Sequence, residues 1–160
     1  MGHREDLLKL FHLGPEDLEA NRAGKLSPRQ ARSLRQSGVR NLLGSLLIGV
    51  ILAAILFLVA NKPLVPAQWI TAAVLAGIAL IVGYVDYNRT RLAAAEARVE
   101  ILSGPARVQM RRREGVFFNI AGRSLKLPVH FWNVKNDAPY RVYVAPRANR
   151  IVAIEPDGWD

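Results

Sequence analysis

The sequence predicts a membrane fold of mixed class: amphipathic helices first, then a two-helix transmembrane hairpin, then a small antiparallel β-barrel or rolled sheet of SH3-like or OB-like size. Between Arg40 and Asp86 the only charged residue is Lys62, which separates two apolar runs. Each run has about the 20 residues that a helix needs to cross the hydrocarbon core of a bilayer. From Val99 onward, short apolar segments alternate with turns rich in Gly, Pro and Asn, a pattern typical of strands.

Residues 1–40 form a predicted cytoplasmic segment of amphipathic and basic helices. Residues 4–13 place leucines and a phenylalanine largely along one side of a short helix. Pro15 starts a second, acidic helical turn that Gly24 closes. Residues 27–30, Ser-Pro-Arg-Gln, have the spacing of a capping box with proline at the first helical position. We therefore expect a further helix to begin there and to lead into the first apolar run.

Basic residues cluster beside the apolar runs and account for much of the net charge of +9. In a soluble protein such a charge would suggest nucleic acid, but arginines next to a membrane span meet anionic lipid first. No aromatic side chains that could stack on bases lie between Arg29, Arg32 and Arg35, which further disfavours nucleic acid as a partner. The candidate contacts with lipid headgroups or an acidic partner are Arg29, Arg32, Arg35, Arg89, Arg91, Arg111, Arg112 and Arg113.

The predicted hairpin has its spans at residues 41–61 and 67–87, an external loop at 62–66 and a helical extension at 88–98. Apolar residues spread evenly around each run, whereas a core helix of a soluble protein normally keeps a polar stripe. Positive residues favour the cytoplasmic side, so we expect the hairpin in the cell (inner) membrane with both termini in the cytoplasm. Trp69 then anchors the outer end of the second span, and Tyr84 and Tyr87 anchor its inner end.

Small residues recur at helix-contact spacing along both spans. Such residues let helix backbones approach closely where lipid supplies no hydrophobic drive for association. One interpretation is that they close the hairpin on itself; another is that those of the second span also contact another membrane subunit. No ionisable residue lies in the middle of either span, which disfavours independent transport. The candidate packing residues are Ser45, Gly49, Ala53, Ala72, Ala76, Ala79 and Gly83.

Residues 99–160 form the predicted cytoplasmic β-domain. A domain of this size is marginal alone, so we expect it to lean on the membrane end, on the amino-terminal helices or on a second copy. Its main breaks include Ser103-Gly104-Pro105 and Ala121-Gly122-Arg123. The predicted strands are Val99–Leu102, Ala106–Arg113, Val116–Ile120, Ser124–Leu127, Tyr140–Ala145 and Ile151–Glu155.

The residues that could carry chemistry are few. The chain has no cysteine, which excludes disulfides, thiolate nucleophiles and cysteine-ligated zinc. His130 lies among apolar residues, as a packed histidine does, and His3 and His12 form no ligand-spaced cluster with it. No phosphate loop, nucleophile elbow or zincin motif is present. We therefore predict a protein that is not an enzyme and that uses no cofactor or metal.

The sequence favours a membrane anchor that presents the β-domain as an interaction or scaffold module to a protein partner or a second copy. One alternative is a small oligomeric channel or transport-complex subunit that assembles through the second span. A less favoured alternative is a membrane-tethered nucleic-acid-binding module. The last would need Phe117, Trp132 and Tyr143 to face outward beside Arg112, whereas an inward position would make them core.

The layout of a two-helix hairpin followed by a small β-domain is similar to that of several bacterial accessory membrane proteins, such as the NfeD-like group with its OB-fold tail. The likeness is one of architecture, because no motif in this chain matches that group residue by residue. It implies a fold for the tail and carries no function with it.

Overall fold

The computed structural model describes residues 13–59, 66–111, 115–127 and 135–157. Helices come first: α1 (Pro15–Arg22), α2 (Pro28–Val59) and α3 (Pro66–Glu96). The strands follow: β1 (Glu100–Pro105), β2 (Arg107–Arg111), β3 (Gly115–Ile120), β4 (Arg123–Lys126), β5 (Pro139–Ala145) and β6 (Arg150–Pro156). The chain forms two compact units, which we call the helical unit (Arg32–Leu92) and the β unit (Met1–Ala31 with Ala93–Asp160).

The start of α2 confirms the predicted capping box. The Gln30 backbone N–H donates to Ser27 Oγ, and the Ser27 backbone N–H donates to Gln30 Oε1, both at 3.1 Å. Each bond satisfies a backbone N–H that a helix start would otherwise leave without an acceptor. From Pro28 the helix continues without a break to Val59, so the basic segment and the first apolar run are one helix. Residues 4–12 of the helix predicted over residues 4–13 lie outside the described residues.

Helices α2 and α3 are both long and apolar enough to cross a membrane. The most apolar 18-residue windows within Pro28–Leu58 and Gln68–Glu96 have mean hydropathies of 2.5 and 1.9, and only 6% and 11% of these windows is buried inside the protein. A core helix of a soluble protein is mostly buried and exposes a polar face. Here large apolar side chains such as Leu58 and Ile81, exposed by 75% and 64%, cover the outer surface instead.

The strands form two antiparallel three-stranded sheets, in the orders β1-β5-β6 and β2-β3-β4. One apolar core takes side chains from both sheets, including Phe118 and Leu125 from one and Val142 and Ile154 from the other. Strand β3 alternates between half-buried and buried side chains, as a strand with one face on a core does. The prediction of five or six short antiparallel strands is confirmed, since the described part of the chain contains six.

Strand β1 corrects one predicted break. Ser103-Gly104-Pro105 continues the strand, because Ser103 pairs with Arg141 and Gly104 with Tyr140 in the β5 register. Gly104 has φ +146°, a conformation that only glycine adopts readily. The predicted break at Ala121-Gly122 is confirmed: both residues have positive φ, +49° and +74°, which is the geometry of a tight two-residue hairpin turn.

Helix α1 and the residues after it pack within the β unit. The Leu26 N–H donates to the Ala97 carbonyl at 2.8 Å, and the Val99 N–H donates to the Gly24 carbonyl at 2.9 Å. Gly24 ends α1 with φ +73°, in agreement with the predicted closing glycine. The small β-domain therefore does lean on an amino-terminal helix, through a short antiparallel pairing that joins residues 24–26 to residues 97–99.

Candidate functional site

The helical unit is held by close contacts between small residues of α2 and α3, and we call this line of contacts the seam. A Cβ atom added to Gly83 would lie 2.7 Å from Ser45 Cβ and Oγ, so the backbones meet closely at this point. Gly49 faces Ala76, whose Cα and Cβ lie 3.8 Å from the position of an added Cβ. Ala72 and Ala79 are half-buried beside them on α3. Ala53 is exposed, so it does not share the buried position of Gly49 one turn earlier.

Two further residues extend this seam and were missed in the sequence. Gly38 is buried, and a Cβ added to it would overlap Thr90 Oγ1. Thr90 is fully buried, and its hydroxyl donates to the backbone carbonyls of Asp86 and Tyr87, both at 2.9 Å. The signal was the heptad spacing, since Gly38 lies one heptad before Ser45 and Thr90 one heptad after Gly83. The seam therefore continues past the apolar runs into the charged flanks.

Polar side chains join the helices where the apolar runs end. Asn41 Nδ2 donates to Asp86 Oδ2 at 2.7 Å, one turn from the contact between Ser45 and Gly83. Asn41 is exposed, as are Arg40 and Arg89 on the two helices nearby. This end of the helical unit thus carries hydrogen-bonded and charged groups directly beside apolar surface.

The predicted aromatic anchors and arginines are mostly exposed where the structure describes their side chains. Trp69 and Tyr84 are 55% and 60% exposed, which suits anchors at a membrane surface, while Tyr87 is half-buried. Arg111 ends β2, and Arg112 and Arg113 lie outside the described residues. Of the predicted arginines, those whose side chains are described are all exposed: Arg29, Arg32, Arg35, Arg89 and Arg91.

A buried carboxylate in the β unit links α1 to the sheet. Glu155 in β6 is 5% exposed, forms an ion pair with Arg22 of α1, and accepts a hydrogen bond from the Tyr143 hydroxyl at 2.9 Å. The hydrogen bond to Glu155, followed by its charge, raises the pKa of Arg22 above its ordinary value. A glutamate near the end of a strand is normally exposed to solvent, so the burial of Glu155 is not expected from its position in the sequence. Its partner Arg22 lies 133 residues away along the chain, so no local pattern indicates the pair.

Alkaline pH is expected to weaken the β unit through its buried tyrosines. Burial, reinforced by the hydrogen bond to Glu155, raises the pKa of Tyr143, and burial likewise raises that of Tyr140. A folded-state pKa above the unfolded value of about 10 stabilises the fold below pH 10 and loses that stability as the pH rises through the raised value. The thermal midpoint of the near-UV circular dichroism should therefore fall above about pH 10.

The matched variant is Tyr143→Phe, which has one titrating phenol fewer. Its midpoint at neutral pH drops because the bond to Glu155 is lost, but its decline with alkaline pH should be shallower than that of the unaltered chain. Equal slopes in the two proteins would contradict the prediction.

The core of the β unit contains most of the described aromatic side chains that are candidates for stacking on a nucleic acid. Phe118, Tyr140 and Tyr143 are at most 1% exposed, and the rings of Phe118 and Tyr140 pack edge to face with centroids 5.8 Å apart. Phe117 is half-buried, and Trp132 lies outside the described residues. This arrangement favours the core interpretation over a stacking surface.

The described part of the chain holds no group of three or more His, Cys, Asp or Glu side chains that could bind a metal ion. His130 lies outside it. Comparison with models of protein families, with curated proteins and with solved structures gave no match.

Proposed function

We propose that α2 and α3 anchor the chain in the cell (inner) membrane as a hairpin and that the β unit serves as a non-enzymatic interaction module on the cytoplasmic side. One observation carries the anchor: the most apolar windows of both helices are only 6% and 11% buried inside the protein. Such a surface is stable in lipid and unfavourable in water, at about 25 cal/mol per Å² of apolar area. Lipid is the medium that suits it.

The orientation follows from charge. The end of the helical unit that holds Arg40 and Arg89 is basic. In the sequence that connects α2 and α3, Lys62 is the single charged residue. Positive residues beside a span are retained in the cytoplasm. Trp69 on α3 then belongs to the outer interface, and Tyr84 to the inner one.

The membrane anchor holds the β unit where membrane-bound partners can bind it. Two small sheets that share one core support a barrel-like module of SH3 or OB size, and a short tether to the membrane raises its effective concentration for membrane-bound partners. The partner is a protein with an acidic face or a second copy of the chain. Anionic lipid headgroups lie next to the β unit at the membrane surface. The exposed arginines Arg89 and Arg91 suit either surface.

A channel assembled through α3 is the second candidate, and the seam disfavours it. Gly83 and Ala76 already lie against Ser45 and Gly49 of the same chain, so they are occupied within the hairpin. An oligomer built on these residues would have to open that contact first.

Cysteine labelling tests insertion and orientation cleanly, because the natural chain has no cysteine as background. In intact cells, Lys62→Cys should react with a membrane-impermeant maleimide from outside. Ser124→Cys, on an exposed position of β4, should react only after the membrane is opened. Labelling of Ser124→Cys in intact cells would overturn the orientation, and release of the chain from membranes by alkaline carbonate would overturn the anchor.

Gentle solubilisation followed by mass spectrometry of co-purifying proteins tests the interaction module. Reversal of charge at Arg111, Arg112 and Arg113 should remove the partner while leaving insertion unchanged. An unaltered set of co-purifying proteins and unaltered lipid binding would count against the module.

A further inference from the structure

An open groove of about 660 Å³ lies on the helical unit between α2 and α3. Small residues on both helices, Gly44, Ser45 and Gly83, leave the space. Ile48 and Ile81 extend it along the apolar part of the helices. An added Cβ at Gly44 would meet no atom within 4 Å, so the space at this residue is open.

Charged groups lie at one end of this groove. Arg40 and Arg89 both line it, and they are brought to the same end because Asn41 bonds to Asp86 and Gly38 meets Thr90 across the helices. Asp86 also lines the groove, with its Oδ2 accepting the hydrogen bond from Asn41 at 2.7 Å. Two arginines and one carboxylate thus line this end, and the carboxylate already accepts a hydrogen bond, so the formal charge at the polar end of the groove is positive.

We propose that this groove binds one anionic phospholipid, with its phosphate at Arg40 and Arg89 and an acyl chain along Ile48 and Ile81. The inference rests on the proposed insertion of the hairpin and adds a defined lipid site to it. Guanidinium groups match phosphate oxygens in geometry and charge, and basic pockets between membrane helices on the cytoplasmic side suit anionic headgroups.

Charge and shape together select this occupant. A soluble phosphate would use the arginines and leave the apolar part of the groove empty. A helix from a second copy would fill the apolar part and leave the net positive charge at the polar end unbalanced. An anionic phospholipid satisfies both parts at once, and it is present wherever the hairpin is inserted.

Native mass spectrometry of the full chain in mild detergent tests the proposal, with phosphatidylglycerol and phosphatidylcholine of identical acyl chains as probes. We expect the chain to retain phosphatidylglycerol at least about fivefold more strongly, and Arg40→Gln and Arg89→Gln each to reduce that retention about fivefold. Arg91→Gln is the matched control, because Arg91 is exposed and does not line the groove.

Filling the groove tests the apolar half of the site. Gly44→Leu should abolish retention of both lipids without disturbing the helix contacts, whereas Gly77→Leu, another glycine with no atom within 4 Å of an added Cβ, should retain them as the unaltered chain does. Equal retention of the two lipids, or normal retention by Gly44→Leu, would overturn the site. A dimer that Gly44→Leu abolishes would overturn it in favour of a second copy.

The outcomes for the site and for the anchor are separable. If the chain resists carbonate extraction and the cysteine labelling has the expected orientation, a failed lipid test removes only the site. If the chain is released by carbonate, the anchor itself fails, whatever the lipid test gives.

Discussion

Gly83→Leu is expected to lower the free energy of unfolding of the helical unit by about 3 kcal/mol, because overpacking a close contact forces the backbones apart. The added side chain would begin 2.7 Å from Ser45 Cβ and Oγ and 3.4 Å from Leu42 Cα, so part of the obstacle is backbone that cannot rotate away. Loss of this contact would separate α2 from α3 along much of the seam.

The free energy can be measured by titrating sodium dodecyl sulfate into mixed micelles. Fluorescence energy transfer between labels on Gln36→Cys and Asn88→Cys reports separation, since both residues are exposed and the chain has no other cysteine. Gly77→Leu is the matched control on the same helix: it makes the same gain in helix propensity but meets no atom within 4 Å of its Cβ. Equal stability of the two leucine variants would contradict the close contact.

Glu155→Ala is expected to destabilise the β unit by about 3 kcal/mol. The substitution leaves the Tyr143 hydroxyl, on a fully buried residue, without its acceptor and removes the ionic partner of Arg22. It also opens a small cavity beneath α1 where the carboxylate was. Because Arg22 is 48% exposed, we assign most of the loss to the buried hydroxyl and the cavity rather than to the ion pair.

Hydrogen exchange of the β5 and β6 amides measures this loss in the full chain. About 3 kcal/mol corresponds to exchange about 100-fold faster. Asp157→Ala is the control, since Asp157 also pairs with an arginine, Arg141 at 2.8 Å, but both side chains are at least a third exposed. That variant should cost at most about 1 kcal/mol.

Glu155→Gln supplies a further check, because it keeps the volume and an acceptor for Tyr143 and should fall between the two alanine variants. Acceleration by Glu155→Ala no greater than that by Asp157→Ala would show that the buried network contributes little.

The features that sequence reasoning predicted well are those that short stretches of chain determine. The capping box at Ser27 and Gln30 needs only four consecutive residues, and the turn at Ala121-Gly122 needs only two residues that accept positive φ. The predicted break at Ser103-Gly104-Pro105 was wrong because a distant part of the chain determines the conformation of this segment. Pairing with β5, a distant strand, kept that segment extended although its composition favours a turn.

The candidate functional residues likewise divide into those that local spacing predicts and those that only the packed helices and strands bring together. The helix-contact spacing of small residues predicted Gly83 and Ser45 as packing residues, but the burial of Gly38 and the exposure of Ala53 are evident only when the helices are packed. The pair of Arg22 and Glu155 and the groove at Arg40 and Arg89 join residues that are far apart along the chain.

Hydropathy, charge and turn preference are sums over neighbouring residues, so the sequence predicts the two apolar helices, their basic flanks and the short strands. The contacts between small residues, the burial of Glu155 and the position of Arg40 and Arg89 beside apolar space are evident only in the packed structure. These features depend on the relative position of α2 and α3, and of α1 and β6. No local pattern carries that information, since contact requires both partners to be in place.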